Sequence, residues 1–471
     1  MSKSVYAIVC TVVLALAATA CSDYLDITPD GQSKRTDQLS TQKGVEEAMY
    51  GVYAQLRQPS LYGKELSYSA LDVMAQYFQS YGNTKVNALL DYNYSHSTLR
   101  SLFQAAWTAM YANISNANSV LNSPLVADAT DYPYKIYRGE ALALRAMMHF
   151  DLLRIFAPQV TVAPDASGIP YATAFSLQTP EMLTANQVYD HIVSDLTTAE
   201  QLLADEADYE GLSPYMTMRQ THLNIHAVRA LLARVLLTRG HREQALSYAR
   251  QVIAESGRTL LGRNELTGAY AGVLSQSETL FGIYSATDFY EAVYQDLWLA
   301  TSFYSLNPTD DYQAIYDTGG ATDYRLTAYY ETQMTGTVRF VKLLDKYKVE
   351  GRESQRPGQM VTGINMIRLP EMYYIVAECL ALGGDTEGAV KALNTVLTAR
   401  GRDALAGQPT AAAIVSEVNA DRRRELVGEG QQFFNMKRQN LPITTLRGAQ
   451  IAPTDAVYVV PIPDIEFDYR N

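Results

Sequence analysis

Asn224 to Glu255 reads NIHAVRALLARVLLTRGHREQALSYARQVIAE, and this stretch decides the fold. Val228, Leu231, Leu232 and Val235 fall at i, i+3, i+4 and i+7, one apolar face of a helix. Ala227, Ala230 and Ala233 keep that helix thin enough for close packing. Gly240 breaks it, and a second helix carries Ala245, Tyr248, Ala249, Val252 and Ile253 on one face. Met372 to Arg400 repeats the design. Met372, Ile375, Val376 and Cys379 form the first face, Gly383-Gly384 the stop, and Ala389 the small residue beyond. In both, an alanine stands five residues after a glycine (Gly240 to Ala245, Gly384 to Ala389).

A glycine at the turn and a small alanine where two helices touch make the tetratricopeptide hairpin pattern. Such scaffolds present surfaces; they rarely catalyse. The two hairpins are not in tandem, because residues 256–363 separate them. The expected fold is therefore mainly α: a tetratricopeptide-like helical-repeat scaffold with an irregular, loop-rich insertion. Lys43–Leu56, Trp107–Leu121, Tyr137–Phe156 and Val188–Leu203 read as further helices, the last entered from Thr184 as N-cap. In Tyr137–Phe156, Glu140 and Arg145 are placed to pair on or near the surface.

Hydrophobic residues make up 47% of the 471, ordinary for a folded chain. The net charge of −12 argues against nucleic acid, whose phosphates need clustered Lys and Arg. Tyrosine is the outlier: 34, against 12 Phe and 2 Trp. A phenol offers a flat apolar face and a polar tip, suited to gripping partly polar ligands. Two stretches concentrate it. Residues 60–97 carry Tyr62, Tyr68, Tyr77, Tyr81, Tyr92 and Tyr94 among Gly and Asn, and Ser80–Ser95 reads as a loop. Residues 257–361 carry Tyr290, Tyr294, Trp298, Tyr304 and more, with no long helical period. Tyr77, Tyr81, Tyr92, Tyr94, Tyr290, Tyr294, Trp298 and Tyr304 are the expected ligand contacts.

Residues 1–20 read as a secretory signal: Lys3, then an apolar run over Val5–Ala18, too short to span a bilayer. It ends in Ala18-Thr19-Ala20-Cys21, which suits lipoprotein processing with acylation of Cys21; a plain secretory cut would leave a free thiol. The three cysteines are Cys10, Cys21 and Cys379, so the mature chain has no disulfide framework.

Cys21 is followed by Ser22-Asp23-Tyr24-Leu25-Asp26-Ile27-Thr28-Pro29. The tail carries Asp421-Arg422-Arg423-Arg424-Glu425-Leu426, Glu429-Gly430, Phe433-Phe434-Asn435-Met436-Lys437-Arg438 and Pro461-Ile462-Pro463. With Glu140-Ala141-Leu142-Ala143-Leu144-Arg145-Ala146 and Ile367-Arg368-Leu369-Pro370-Glu371, these resemble the SusD/RagB family of Bacteroidetes outer-membrane lipoproteins. Asn435 and Met436 stand where Asp and Leu are usual. The resemblance implies a surface-exposed, lipid-anchored outer-membrane protein. It would bind oligosaccharides and deliver them to a SusC-like TonB-dependent barrel, or bind oligopeptides in the RagB manner.

The organisation expected is a leader (1–20), a lipidated segment (21–44), a helical scaffold (45–256), the aromatic insertion (257–361) and a second hairpin with the family tail (362–471). No cofactor, metal or catalytic residue is expected. His222 and His226 are four apart, but residue 223 is Leu, not the Glu of a zinc protease. Asp310, Asp311 and Asp317 leave a glycan hydrolase, or a bound calcium ion, open. A periplasmic repeat adaptor that binds only proteins is the remaining alternative.

Overall fold

The computed structural model describes residues 35–470, apart from 81, 177, 268–273, 286–287, 299–305, 310–311, 317–322, 335, 337, 345–360, 447 and 469. The leader, Cys21, and the Asp310, Asp311 and Asp317 carboxylates lie outside the described residues.

Eight long helices form the body: α1 (Gln42–Leu56), α2 (Ser97–Leu121), α3 (Tyr134–Phe156), α4 (Ala185–Leu202), α5 (Ile225–Arg239), α6 (Arg242–Glu255), α7 (Leu369–Leu382) and α8 (Thr386–Ala399). Each packs on the next, α6 directly on α7 despite the long segment between them. The hairpins separated in sequence are thus neighbours in space, and the sequence pattern showed two of four helix pairs. Two more helices, α9 (Ala411–Glu425) and α10 (Gln432–Arg438), follow, and α9 packs on α7 and α8.

Local chemistry explains the helix ends. Thr184 and Gln187 form a reciprocal capping box at the start of α4. Gly240 closes α5 at φ +89° and Gly384 follows α7 at φ +91°, while Ala245 and Ala389 are fully buried at the helix contacts. Gly240→Ala and Gly384→Ala are each expected to cost about 1–2 kcal/mol, the penalty of a Cβ in the left-handed region. Gly240→Ala should be the worse, since its Cβ would lie 3.2 Å from Thr161 Cγ2 while that of residue 384 meets nothing. Urea midpoints of the two variants check the order.

The insertion leaves and returns through one antiparallel pair. Strand β1 (Thr279–Tyr284) pairs with β2 (Gly363–Arg368), and β2 runs straight into α7. This clasp lets α6 and α7 meet. Between the strands lie short helices and two-residue to three-residue strand pairs, as the missing helical period implies.

A buried ion cluster ties the insertion to the tail. Glu425, at the end of α9, pairs with Arg325 (3.0 Å), Arg368 (2.6 Å) and Arg400 (2.9 Å). Glu278 takes Arg368 (2.8 Å) and Arg400 (2.9 Å), and Arg325 also reaches Asp421 (2.6 Å) and Asp323 (2.8 Å). Burial pushes the Glu425 carboxyl up, but Arg400, Arg368 and Arg325 outweigh it and hold it well below the carboxylate range. The tail motif at 421–425 is therefore structural.

Two local expectations need correction. Ser80–Ser95 is not all loop: Thr84–Leu90 is a helix, its N-cap Asn83 accepting from the Lys85 and Val86 amides. Glu140 and Arg145 do not pair on the surface. Helix α3 is buried almost all round, so both lie inside with other partners. Arg145 forks onto Asp195, at 2.7 and 2.8 Å. Glu140 has an ion pair with Arg219 (2.7 Å) and accepts from Tyr53 and Tyr215.

Candidate ligand-binding site

The two tyrosine-rich stretches meet. Phe78–Gln79 pairs antiparallel with Asn307–Pro308, Phe78 opposite Pro308 and Gln79 opposite Asn307. Gln79 Nε2 donates to the Pro308 carbonyl at 3.4 Å, and Lys64 bridges to Asp296 at 2.7 Å. Beneath this junction is an aromatic seam. Phe78 meets Phe340 edge-on at 5.2 Å, Tyr330 lies 5.4 Å from Phe340, and Tyr68 meets Phe289 at 6.2 Å.

Most of the tyrosines expected to face ligand belong to that interior. Tyr77 is buried, its hydroxyl donating to the Arg423 carbonyl at 2.6 Å with the Arg423 guanidinium 4.6 Å from its ring. Tyr92 donates to the Met74 carbonyl (2.7 Å) and Tyr94 to that of Val457 (2.6 Å). Tyr290 is 3% exposed and lies against Phe289. Burial pushes the Tyr77, Tyr92 and Tyr94 phenols up, so they remain neutral. The physical reason is shared: a buried phenol packs its ring as core and finds a backbone carbonyl for its tip. Tyr94 keeps a second face, bordering a cavity of 290 Å³ between α2 and Pro461–Pro463.

Tyr294 is the expected contact that stays half-exposed. It begins a single wide helical turn, Tyr294–Trp298, that continues the Asp288–Val293 helix with i→i+5 geometry. Such turns frequently mark functional positions. The Leu306 amide donates to the Asp296 carbonyl at 3.0 Å, which holds the turn beside the junction. Tyr81, Tyr304 and the Trp298 side chain lie outside the described residues. Gln79, Asn83 and Asn307 are partly exposed around the same junction, and sequence reasoning passed over them as contacts. The Asn enrichment of residues 80–95 was the available signal.

No group of His, Cys, Asp and Glu among the described residues could hold a metal ion. His222 precedes α5 and faces Glu140, so it shares no helix face with His226. Burial pushes the Cys379 thiol up to about 12, which leaves it unreactive. No helix among the described residues is long and apolar enough to cross a membrane.

A SusD-like family model, described as starch-binding and associating with the outer membrane, matches residues 23–237, and the SusD family model matches residues 283–462. The chain belongs to the SusD family. A SusD superfamily protein from Bacteroides thetaiotaomicron is 25% identical, with a TM-score of 0.73 over 90% of this chain and 97% of that one. A SusD-like carbohydrate binding protein from Bacteroides vulgatus is 19% identical, TM-score 0.73, over 93% of this chain and 96% of that one. A further SusD superfamily protein from Bacteroides vulgatus is 22% identical, TM-score 0.73, over 93% and 98%. No curated protein matches the chain by sequence. The mainly α, repeat-built fold is thus a SusD fold, and the SusD family is one of outer-membrane-associated binding proteins.

Proposed function

We propose that this SusD-family chain is a lipid-anchored cell-surface carrier. It holds oligosaccharides at the junction rim and passes them to a SusC-like TonB-dependent outer-membrane barrel without cleaving them. Acylated Cys21 is the anchor. The observation that carries the ligand site is the pairing of residues 78–79 with 307–308, which brings both tyrosine-rich and Asn-rich stretches to one rim. Tyr294, with Tyr81, Trp298 and Tyr304, supplies ring faces for sugar C–H groups, and Gln79, Asn83 and Asn307 supply donors and acceptors. Each ring contributes about 0.5–1.5 kcal/mol beyond area burial, a range that suits cargo meant to be released.

One observation favours an oligopeptide instead. Of the two tryptophans, Trp107 is buried, its Nε1 donating to Glu466 at 3.1 Å. Trp298 alone is then left for a sugar platform. Affinity electrophoresis of the chain from Ser22 onward, which lacks the anchor cysteine, against starch and other polysaccharides, with a peptide array alongside, decides between them. Retardation by a polysaccharide is expected. It should weaken by about 2-fold to 10-fold in each of Tyr294→Ala and Trp298→Ala, and no reducing ends should be released. Binding confined to peptides would favour the second reading, and turnover would end the carrier model.

A further inference from the structure

Among the described tyrosines, Tyr50 and Tyr284 are the two that are exposed, at 41% and 49%. Most of the described phenols are buried, yet these two line one hollow. It lies between α1, the segment 214–222 and the end of β1, with a volume of 170 Å³. None of its residues belongs to the junction rim. Met218, 51% exposed, borders it with backbone held at φ +46°, a strained setting for a side chain without a β-turn preference.

The Tyr50 ring is held from behind. Tyr50 packs on Tyr215 at 5.2 Å and on His222 at 6.2 Å, and Tyr53 meets His222 at 5.0 Å. Beneath them Glu140 accepts from the Tyr53 hydroxyl (2.7 Å) and the Tyr215 hydroxyl (2.6 Å), and His222 Nδ1 lies 3.1 Å from the same oxygen. An exposed ring backed this way is preorganised: no rotamer entropy is lost when a ligand lands on it. The Thr217 and Thr221 hydroxyls donate to the carbonyls of Pro214 (2.7 Å) and Met218 (2.9 Å), which leaves their lone pairs to accept. The hollow is smaller than the roughly 300–1,000 Å³ that takes a drug-sized ligand. It suits one ring with an apolar face and hydroxyl edges.

We propose that this hollow is an accessory carbohydrate subsite, seating a single pyranose ring against Tyr50 and Tyr284. The C–H face of the sugar lies on the phenols, and its hydroxyls donate to Thr217 and Thr221. The subsite stands on its own residues, so it survives even where the rim binds something else.

Saturation-transfer NMR on the mature chain tests it, with methyl α-glucopyranoside, methyl α-mannopyranoside and methyl β-galactopyranoside as separate probes. Transfer to the ring protons of at least one probe is expected. The double variant Tyr50→Ala, Tyr284→Ala should weaken it about fivefold or more, while Tyr50→Phe, which keeps the ring, retains it. Both tyrosines are exposed, so the double variant folds, and its melting curve verifies this. Equal transfer in wild type and double variant overturns the proposal, as does no transfer from any probe in wild type. It is also overturned if the double variant keeps transfer but loses co-purification with an outer-membrane barrel, since the hollow is then a docking surface. Tyr294→Ala reports on the rim in polysaccharide gels, so a failure there is separable from a failure here.

Discussion

Glu425→Ala is expected to destabilise the protein by about 3–5 kcal/mol, the cost of breaking a buried ion pair from one side. Three guanidiniums, from Arg325, Arg368 and Arg400, converge on this one carboxylate, and all four side chains are almost fully buried. Glu278 cannot replace it, because it already pairs with Arg368 and Arg400 and does not reach Arg325. The loss should also be directional. Arg325 sits in the insertion and would keep only Asp421 of its two partners in α9, so that segment should loosen first. Limited proteolysis of Glu425→Ala should therefore cut within residues 257–361 before the helical scaffold. The comparison is Glu417→Ala: its carboxylate pairs with Arg402 and Arg424 but is 26% exposed, and its loss should cost under about 1 kcal/mol. If the chemical denaturation midpoints of the two variants coincide, the cluster is not what holds the insertion.

Acid should unfold the protein partly through Glu140. Burial pushes this carboxyl up, but Arg219, then His222 and the Tyr215 hydroxyl, outweigh it and hold it down at about 2. A folded-state value below the unfolded one means stability that is fully present above the unfolded value, near 4.5, and lost as pH falls toward about 2. The shift corresponds to a contribution on the order of 3 kcal/mol. Glu140→Gln removes the charge and should lower stability near neutral pH by a similar amount, leaving Arg219 paired with Glu206 alone. The variant should also show a flatter loss of stability between neutral pH and about pH 3. Urea midpoints measured across that range decide it; parallel slopes for wild type and variant would remove Glu140 as the titrating group.

The helices were legible because their causes are local. Gly240 with Ala245, Gly384 with Ala389, and Thr184 with Gln187 are each pairs of residues three to five apart. The family tail was legible because its motif is contiguous. Two of the four helix pairs escaped notice: α1 and α2 are joined by residues 57–96, and α3 and α4 by 157–184, so neither shows a glycine stop followed by a small residue. Glu140 was misplaced on the surface for a related reason. Its partners Tyr53, Tyr215, Arg219 and His222 come from both sides along the chain, and spacing within α3 cannot show them.

The direction in which each tyrosine faces was beyond the sequence. A phenol is content in either setting, since its ring packs as core and its hydroxyl bonds equally to water or a carbonyl. Tyr77 finds its carbonyl at Arg423 and Tyr94 at Val457, so both turn inward. Tyr50 and Tyr284 find no such partner and remain open to solvent. Sequence by itself determined that this chain builds paired helices, carries the SusD tail and holds an excess of amphipathic rings. Tertiary structure alone decided which rings face out, because a partner such as the carbonyl that satisfies Tyr77 or Tyr94 stands hundreds of residues away along the chain.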